Sequence, residues 1–319
     1  MLETIKAVIK SAIIYGRDYR RDLKYSTLRS GFNSQEKLLS SLVVKAHTIE
    51  KGLTMPNKRI PFGEARAKEV LSGCCAYVER GYDLTESRFV DIVGIMREYR
   101  DTLQKNGVSA AALDPFFEKI DAAVPSAEAF SQQYAIKRGD YFANADSGFD
   151  AFSASRHSCR NLSGHVSDEA LSRALSLSMN APSTCNRQSH RIHLLQSEEA
   201  KKAILSIQGG CRGFGELADQ FILITSDLSC WPSGTHRNGP YIDGGAYLMN
   251  LLYSLHHENL AACTLNLYLH GAKDRKLHRE LGIPENEVPV ALIAIGIPPE
   301  EFDLARSHRR DASEVITRH

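Results

Sequence analysis

Apolar residues recur at helical spacing through the first 150 positions of the chain. Asn33-Ser34-Gln35-Glu36 reads as a capping start. Leu38, Leu39, Leu42, Val43, Ala46 and Ile49 follow on one face, and Gly52 is a natural stop. Residues 63–80 and 86–104 repeat the pattern less cleanly, and Asp114-Pro115 opens a further helix that Pro125 ends. No alternating run marks a strand in this half, and there is no internal repeat. Ile5, Val8, Ile9 and Ile13, with the small Ala12 among them, share a helical face with Lys and Arg nearby. The expectation there is a helix docked on its own protein rather than on a membrane surface.

The pattern changes near residue 150. Residues 137–154 are polar and hold Gly and Asp, which suggests a linker. The boundary divides a helical region of unknown role, 1–150, from a second domain, 151–319. In the latter, Ser167 caps a helix running to about Asn180, with Leu171, Ala174, Leu175 and Met179 as its apolar line. Residues 191–195 and 221–225 read as strands and 198–207 as a helix. A long helix over 243–258 turns Leu248, Leu251, Leu252 and Leu255 inward. Residues 261–267 read as strand and 273–281 as a helix closed by Gly282. The run V-P-V-A-L-I-A-I-G-I at 288–297 is apolar on both faces and so central in a sheet. The order predicts an α+β fold, a sheet flanked by helices behind a mostly helical N-terminal region.

Composition narrows the function only by exclusion. With 319 residues and 43% hydrophobic content the chain can build one large core or two ordinary ones. A net charge of +1 gives no global field toward nucleic acid. Seven scattered cysteines without a C-x-x-C support neither a zinc knuckle nor a disulfide framework, so a reducing cytoplasm is the simplest compartment. There is no signal-peptide pattern, and no uncharged run approaches the ~18 residues of a membrane span.

The chemistry concentrates between Arg156 and Arg191. R-H-S-C-R at 156–160 puts two arginines and a serine within five residues, which suits a phosphate: guanidinium gives forked, charge-assisted donors. After one helix comes A-P-S-T-C-N-R-Q-S-H-R, where Pro182 stops the helix. Ser183, Asn186 and Gln188 follow with short side chains able to read the edge of a planar heterocycle. A phosphate clamp and an amide-rich reader joined by a helix describe a site for a phosphorylated ring cofactor. Cys185 carries no sign of activation and is expected to pack.

These two motifs, in this order and at this separation, resemble the flavin-binding signatures of the FMN-dependent nitroreductase family, over roughly the second half of the chain. The resemblance implies a nitroreductase-like mixed β-sheet flanked by helices, and a homodimer with FMN at the interface. It implies hydride transfer from NADH or NADPH through the flavin to a nitro-aromatic, quinone or dedicated metabolite acceptor, with ping-pong kinetics. Arg156, Ser158 and Arg160 would then hold the phosphate, with backbone contacts from His157. Pro182, Ser183, Asn186 and Gln188 would meet the ring and ribityl chain. Thr264, Leu265 and Asn266 would bring backbone N–H groups to N5, and Arg310 would add a last basic contact to the phosphate. No side chain is needed as nucleophile or general base. The family usually has Pro-Trp after the Gln where this chain has Ser189-His190, which bears on pocket shape and substrate. Two other readings stay open: a flavin dehydrogenase of a specialised pathway not using nicotinamide, and a flavin-bound binding or regulatory protein with little turnover.

Other motifs carry less. Trp231, His236, Arg237 and Tyr241 lie in or beside a loop where the family varies its substrate cover, and are candidates for substrate contact. The run G-G-C-R-G-F-G at 209–215 follows a helix and precedes a strand, the wrong order for a dinucleotide fingerprint. His47 and Glu50 sit three apart on one face, but the second pair and extra carboxylates of a di-metal bundle are absent, so the expectation is either a structural salt bridge and turn or a loop that covers the cofactor or contacts substrate. The surrounding H-T-I-E-K-G-L resembles a pattern in nitroreductase-like proteins of surface-polysaccharide gene clusters. His256-His257-Glu258 is not a zinc motif, and no metal is expected.

Overall fold

The computed structural model describes residues 2–124 and 133–319. Contacts group the chain into two compact units, one of Met1–Asp18 with Ala135–Phe302, the other of Tyr19–Tyr134 with Asp303–His319. Residues 303–319 group with the helical unit, and residues up to Asp18 with the α+β unit.

The helical unit follows its caps. Ser34 accepts from the Lys37 N–H at the start of Gln35–Leu53, whose Leu39, Leu42, Ala46 and Ile49 are buried. Helices Glu64–Glu79, Ser87–Lys105 and Asp114–Ala123 complete one core with Tyr77, Phe89, Tyr99 and Phe117. Pro125 lies outside the described residues. Two strands were not anticipated from sequence: β1 (Gln133–Lys137) and β6 (Glu301–Ala305), which form a two-stranded sheet. Both are only five residues long; β1 lacks clean alternation, whereas Glu301–Leu304 alternates polar and apolar over four residues, the shortest run that carries a period-2 signal. The expected linker also holds helices, Arg138–Tyr141 and Phe149–Ser155.

The α+β unit is built on a four-stranded sheet. It holds β2 (His190–Leu195), β3 (Gln220–Asp227), β4 (Ala261–Asn266) and β5 (Glu287–Gly296), in the order β2-β3-β5-β4. Each described pairing is antiparallel. As its apolar run predicts, β5 is interior, with Ile293 opposite both Ile222 and Thr264. Helices Asp168–Ser178 and Gly239–His257 join the core through Leu171, Ala174, Tyr247, Leu251 and Leu255. Met179, expected on that apolar line, is instead 52% exposed, because the helix ends at Ser178.

The N-terminal helix departs from its expected docking. Leu2–Tyr25 is one helix, and Ile5, Val8, Ile9 and Ile13 are each at least half exposed. Its part up to Asp18 meets the α+β unit through the opposite side. Ser11 and Tyr15 lie against Gly234, and Asp18 pairs with Arg237. An ion pair and a close-fitting glycine fix the helix by its polar line, leaving the apolar stripe outward.

Two glycines set how closely the segment after residue 156 approaches the sheet. Gly164 and Ile297 exchange both backbone hydrogen bonds, at 2.8 and 2.9 Å. A Cβ on Gly296 would stand 2.3 Å from the Leu162 carbonyl oxygen, a backbone atom that cannot swing aside. Gly296→Ala is expected to destabilise this unit by about 1–3 kcal/mol through overpacking. The readout is a lower chemical-denaturation midpoint by circular dichroism; an unchanged midpoint contradicts the close approach.

Candidate functional site

The first motif is held at the end of helix Phe149–Ser155. Tyr141 donates its hydroxyl to the His157 carbonyl at 2.7 Å, and the Cys159 N–H donates to the Ala262 carbonyl of β4 at 3.0 Å. Because β4 is an edge strand, its free side can take the motif as a partial extra strand. Ser155 Oγ donates to the Phe152 carbonyl and lies 2.9 Å from His256 Nε2. His256 is therefore the donor in that contact. Burial, with Arg156 nearby, holds the His256 pKa down to about 4, so the ring is neutral. Cys159 is inert, its thiol pushed up to about 12 by burial.

Arg156, His157 and Ser158 are half-buried, while Arg160 is buried at 7% exposure. Its Nε has no hydrogen-bond partner among the described residues. A guanidinium group taken out of water with a donor left open is costly unless something binds there.

The second motif is strained. Cys185, Asn186 and Gln188 have φ of 52°, 56° and 49°, left-handed values that cost non-glycine residues about 1–3 kcal/mol each. Asn tolerates the conformation best. Asp243 holds the turn: its carboxylate accepts from the Thr184 N–H at 2.9 Å and the Thr184 hydroxyl at 2.8 Å. The Gln188 N–H donates to Ser183 Oγ at 3.0 Å, and Gln188 Nε2 to Asn186 Oδ1 at 3.0 Å. Pro182, Asn186 and Gln188 are exposed, so the constrained amides face outward. Cys185 is also exposed, contrary to a packing role; its left-handed backbone turns it out of the core. Ser189 and His190 turn inward. Ser189 Oγ lies 2.9 Å from Ser226 Oγ, and His190 stacks on Tyr247 at 4.1 Å between ring centroids. Burial lowers the His190 pKa, and Arg191 adds to the effect.

Thr264, Leu265 and Asn266 end β4. Buried Gln208 donates to the Asn266 carbonyl at 2.6 Å and accepts from the Gly210 N–H, which fixes the strand end to the glycine turn. Two cavities open beside it. One, of about 620 Å³, is lined by Tyr241, Leu267, Tyr268, His270, Asp274 and Val290. The other, of about 520 Å³, lies over Gln208–Gly210 and Asn266. Of the substrate candidates, Tyr241 borders the first cavity. Trp231 stacks under the Arg187 guanidinium at 5.3 Å, which joins its loop to the second motif. Trp231 Nε1 and His236 Nδ1 are buried without partners among the described residues. Arg237 is engaged by Asp18. Arg310 belongs to the helical unit, where it meets Glu314 and Glu86 and lines a cavity with Arg88, His308 and Arg309. No metal-binding group of His, Cys, Asp and Glu occurs among the described residues, and none of their helices is long and apolar enough to cross a membrane.

Asp243 and Gln208 were not singled out in the sequence. Each acts on a partner 58 or 59 positions away, so no local pattern announces it.

Two measurements test this geometry. Asp243→Ala removes both hydrogen bonds to Thr184, an exposed residue, and should cost about 0.5–1.5 kcal/mol for each, read as a lowered denaturation midpoint, with Asp243→Asn falling between. For His256, the folded pKa of about 4 lies below the ordinary 6.5. The unfolded chain therefore binds the proton first as pH falls. This contribution is complete above 6.5 and is lost between 6.5 and about 4. His256→Gln, which keeps a donor at the same reach, should flatten the fall in stability over that window; an unchanged profile rules the assignment out.

No curated protein matches the chain. Among solved structures, a nitroreductase family protein from Clostridium difficile is 21% identical, covering 53% of this chain and 97% of its own, at a TM-score of 0.45. A protein from Exiguobacterium sibiricum solved in complex with FMN is 18% identical, covering 54% and 98%, at 0.46. One from Staphylococcus epidermidis, named for NAD(P)H:FMN oxidoreductase activity, is 18% identical, covering 54% and 96%, at 0.48. Residues 154–211, which contain both motifs, match the model of the Nitroreductase family.

Proposed function

We propose that the chain is an FMN-dependent oxidoreductase, taking hydride from NADH or NADPH and delivering it to a nitro-aromatic, quinone or dedicated metabolite acceptor by a ping-pong scheme. One observation carries the reading. Inside the segment matched by the Nitroreductase family, Arg160 is buried with its Nε unpartnered. Such a group fits a phosphate, which would accept from it while Arg156 and Ser158 close the clamp. The strained reader supports the same end, since outliers of this kind cluster at binding sites.

When bound, FMN supplies the hydride chemistry. The chain's residues bind and orient it. Arg156, His157, Ser158 and Arg160 hold the phosphate. Pro182, Ser183, Asn186 and Gln188 meet the ring edge and ribityl chain, and the end of β4 at Thr264–Asn266 offers backbone donors. Trp231, His236 and Tyr241 contact the acceptor, while Arg237 supports the loop through Asp18.

The working form is a homodimer with a flavin at the interface. Helix Gly239–His257 anchors the reader at Asp243 and the clamp at His256. These residues are thirteen positions apart, about 20 Å along the axis at 1.5 Å per residue. Two-fold pairing lets the clamp of one copy meet the reader of the other. Exposed Ile242, Met249 and Leu177 supply apolar surface for that contact.

The test begins with the cofactor released from the purified protein, expected to be FMN. Arg156→Ala with Arg160→Ala should give folded, colourless protein; full retention of flavin by the double variant defeats the clamp. Rapid bleaching on stopped-flow mixing with NADH or NADPH supports the reductase. A specialised flavin dehydrogenase that does not use nicotinamide is the second reading, supported if flavin binds but neither nicotinamide reduces it.

A further inference from the structure

We propose that helix Leu2–Tyr25 docks on an anionic lipid surface and holds the Trp231 loop beside it. The helix divides into three arcs. Ser11, Ile14 and Asp18 are its half-buried line, with Ser11 against Gly234 and Asp18 on Arg237. Ile5, Val8, Ile9, Ala12 and Ile13 form an apolar stripe centred roughly 140° round the helix from that line. Lys6, Lys10 and Arg17 fill the third arc and border the stripe on one side. Over its whole length the helix holds six cations against three acids. Asp18 is turned to its own chain, and Glu3 makes only an exposed ion pair with Lys6.

A stripe that the chain leaves open, edged by lysine and arginine, matches the headgroup boundary of a bilayer bearing acidic lipids. The apolar side chains enter the acyl edge and the cations meet the headgroups. Exposed Tyr19 at the stripe's border suits the same depth. A second copy fits less well. Antiparallel pairing across the stripe would set basic arc against basic arc, and parallel pairing would bring that arc toward the docked line. The helix also seats directly on the loop of Gly234 and Arg237, so lipid docking would place the acceptor-side loop at the interface.

The experiment uses the full chain with its flavin and vesicles of phosphatidylcholine alone or mixed with phosphatidylglycerol. Co-sedimentation is expected with the mixed vesicles and not with the neutral ones, and raised salt should release the protein. Ile9→Glu with Ile13→Glu should weaken binding at least tenfold, with circular dichroism and flavin content unchanged because both side chains are exposed. Lys6→Gln with Lys10→Gln should also weaken it. Absence of binding to mixed vesicles, or equal binding by wild type and Ile9→Glu/Ile13→Glu, overturns the proposal. If that double variant instead halves the mass in solution, the stripe is a contact between copies and the proposal also falls.

Discussion

One carboxylate keeps the candidate site in shape. Asp243 takes both the backbone N–H and the hydroxyl of Thr184, at the foot of a turn in which three of four successive residues are left-handed. Without that anchor the strain, about 1–3 kcal/mol per residue, would drive the turn toward ordinary backbone angles. Asp243 is 5% exposed, and a buried carboxylate needs its acceptor sites filled. Each partner thus removes the other's cost. The thirteen-residue offset to His256 on the same helix then fixes how far the reader stands from the clamp.

What could be read from the sequence was local. The helix Gln35–Leu53 declares itself through Ser34 and an apolar face, and β5 through a run buried on both sides. The two motifs are local as well, since each compresses its donors into a few residues. What could not be read joins distant positions. Asp243, Gln208 and Tyr247 owe their roles to partners 58 to 69 residues away, and β1 to a strand more than 160 residues downstream. The N-terminal helix shows a different limit. Its amphipathic pattern gives the faces correctly, but periodicity does not say which face meets the protein. The Asp18–Arg237 ion pair decides that.

Ser189-His190, where the resemblance to nitroreductases leads one to expect Pro-Trp, also gains a physical account. A proline has no N–H and a tryptophan needs a large slot. Here a small hydroxyl pairs with Ser226 across the β2–β3 ladder, and a flat imidazole lies on Tyr247, whose hydroxyl is 2.8 Å from Ser178. The exchange reaches inward to the helix behind the turn. The residues left on the outer side are those of the reader itself.

The segment His47–Gly63 obeys the same logic within the helical unit. Glu50 is 3% exposed, lies 2.9 Å from His47 Nδ1, and accepts from the Ser307 N–H and hydroxyl at 3.0 Å each. Ser307 takes φ of 46° to make that contact. Gly52 is required because the Phe62 ring fills the space a Cβ would occupy, and Tyr99 donates to the Phe62 carbonyl. The density of unusual residues there therefore follows from packing demands. A buried glutamate captures the C-terminal segment, and a bare backbone admits the ring that folds back over it. Within the same unit Arg310 meets Glu86 and Glu314.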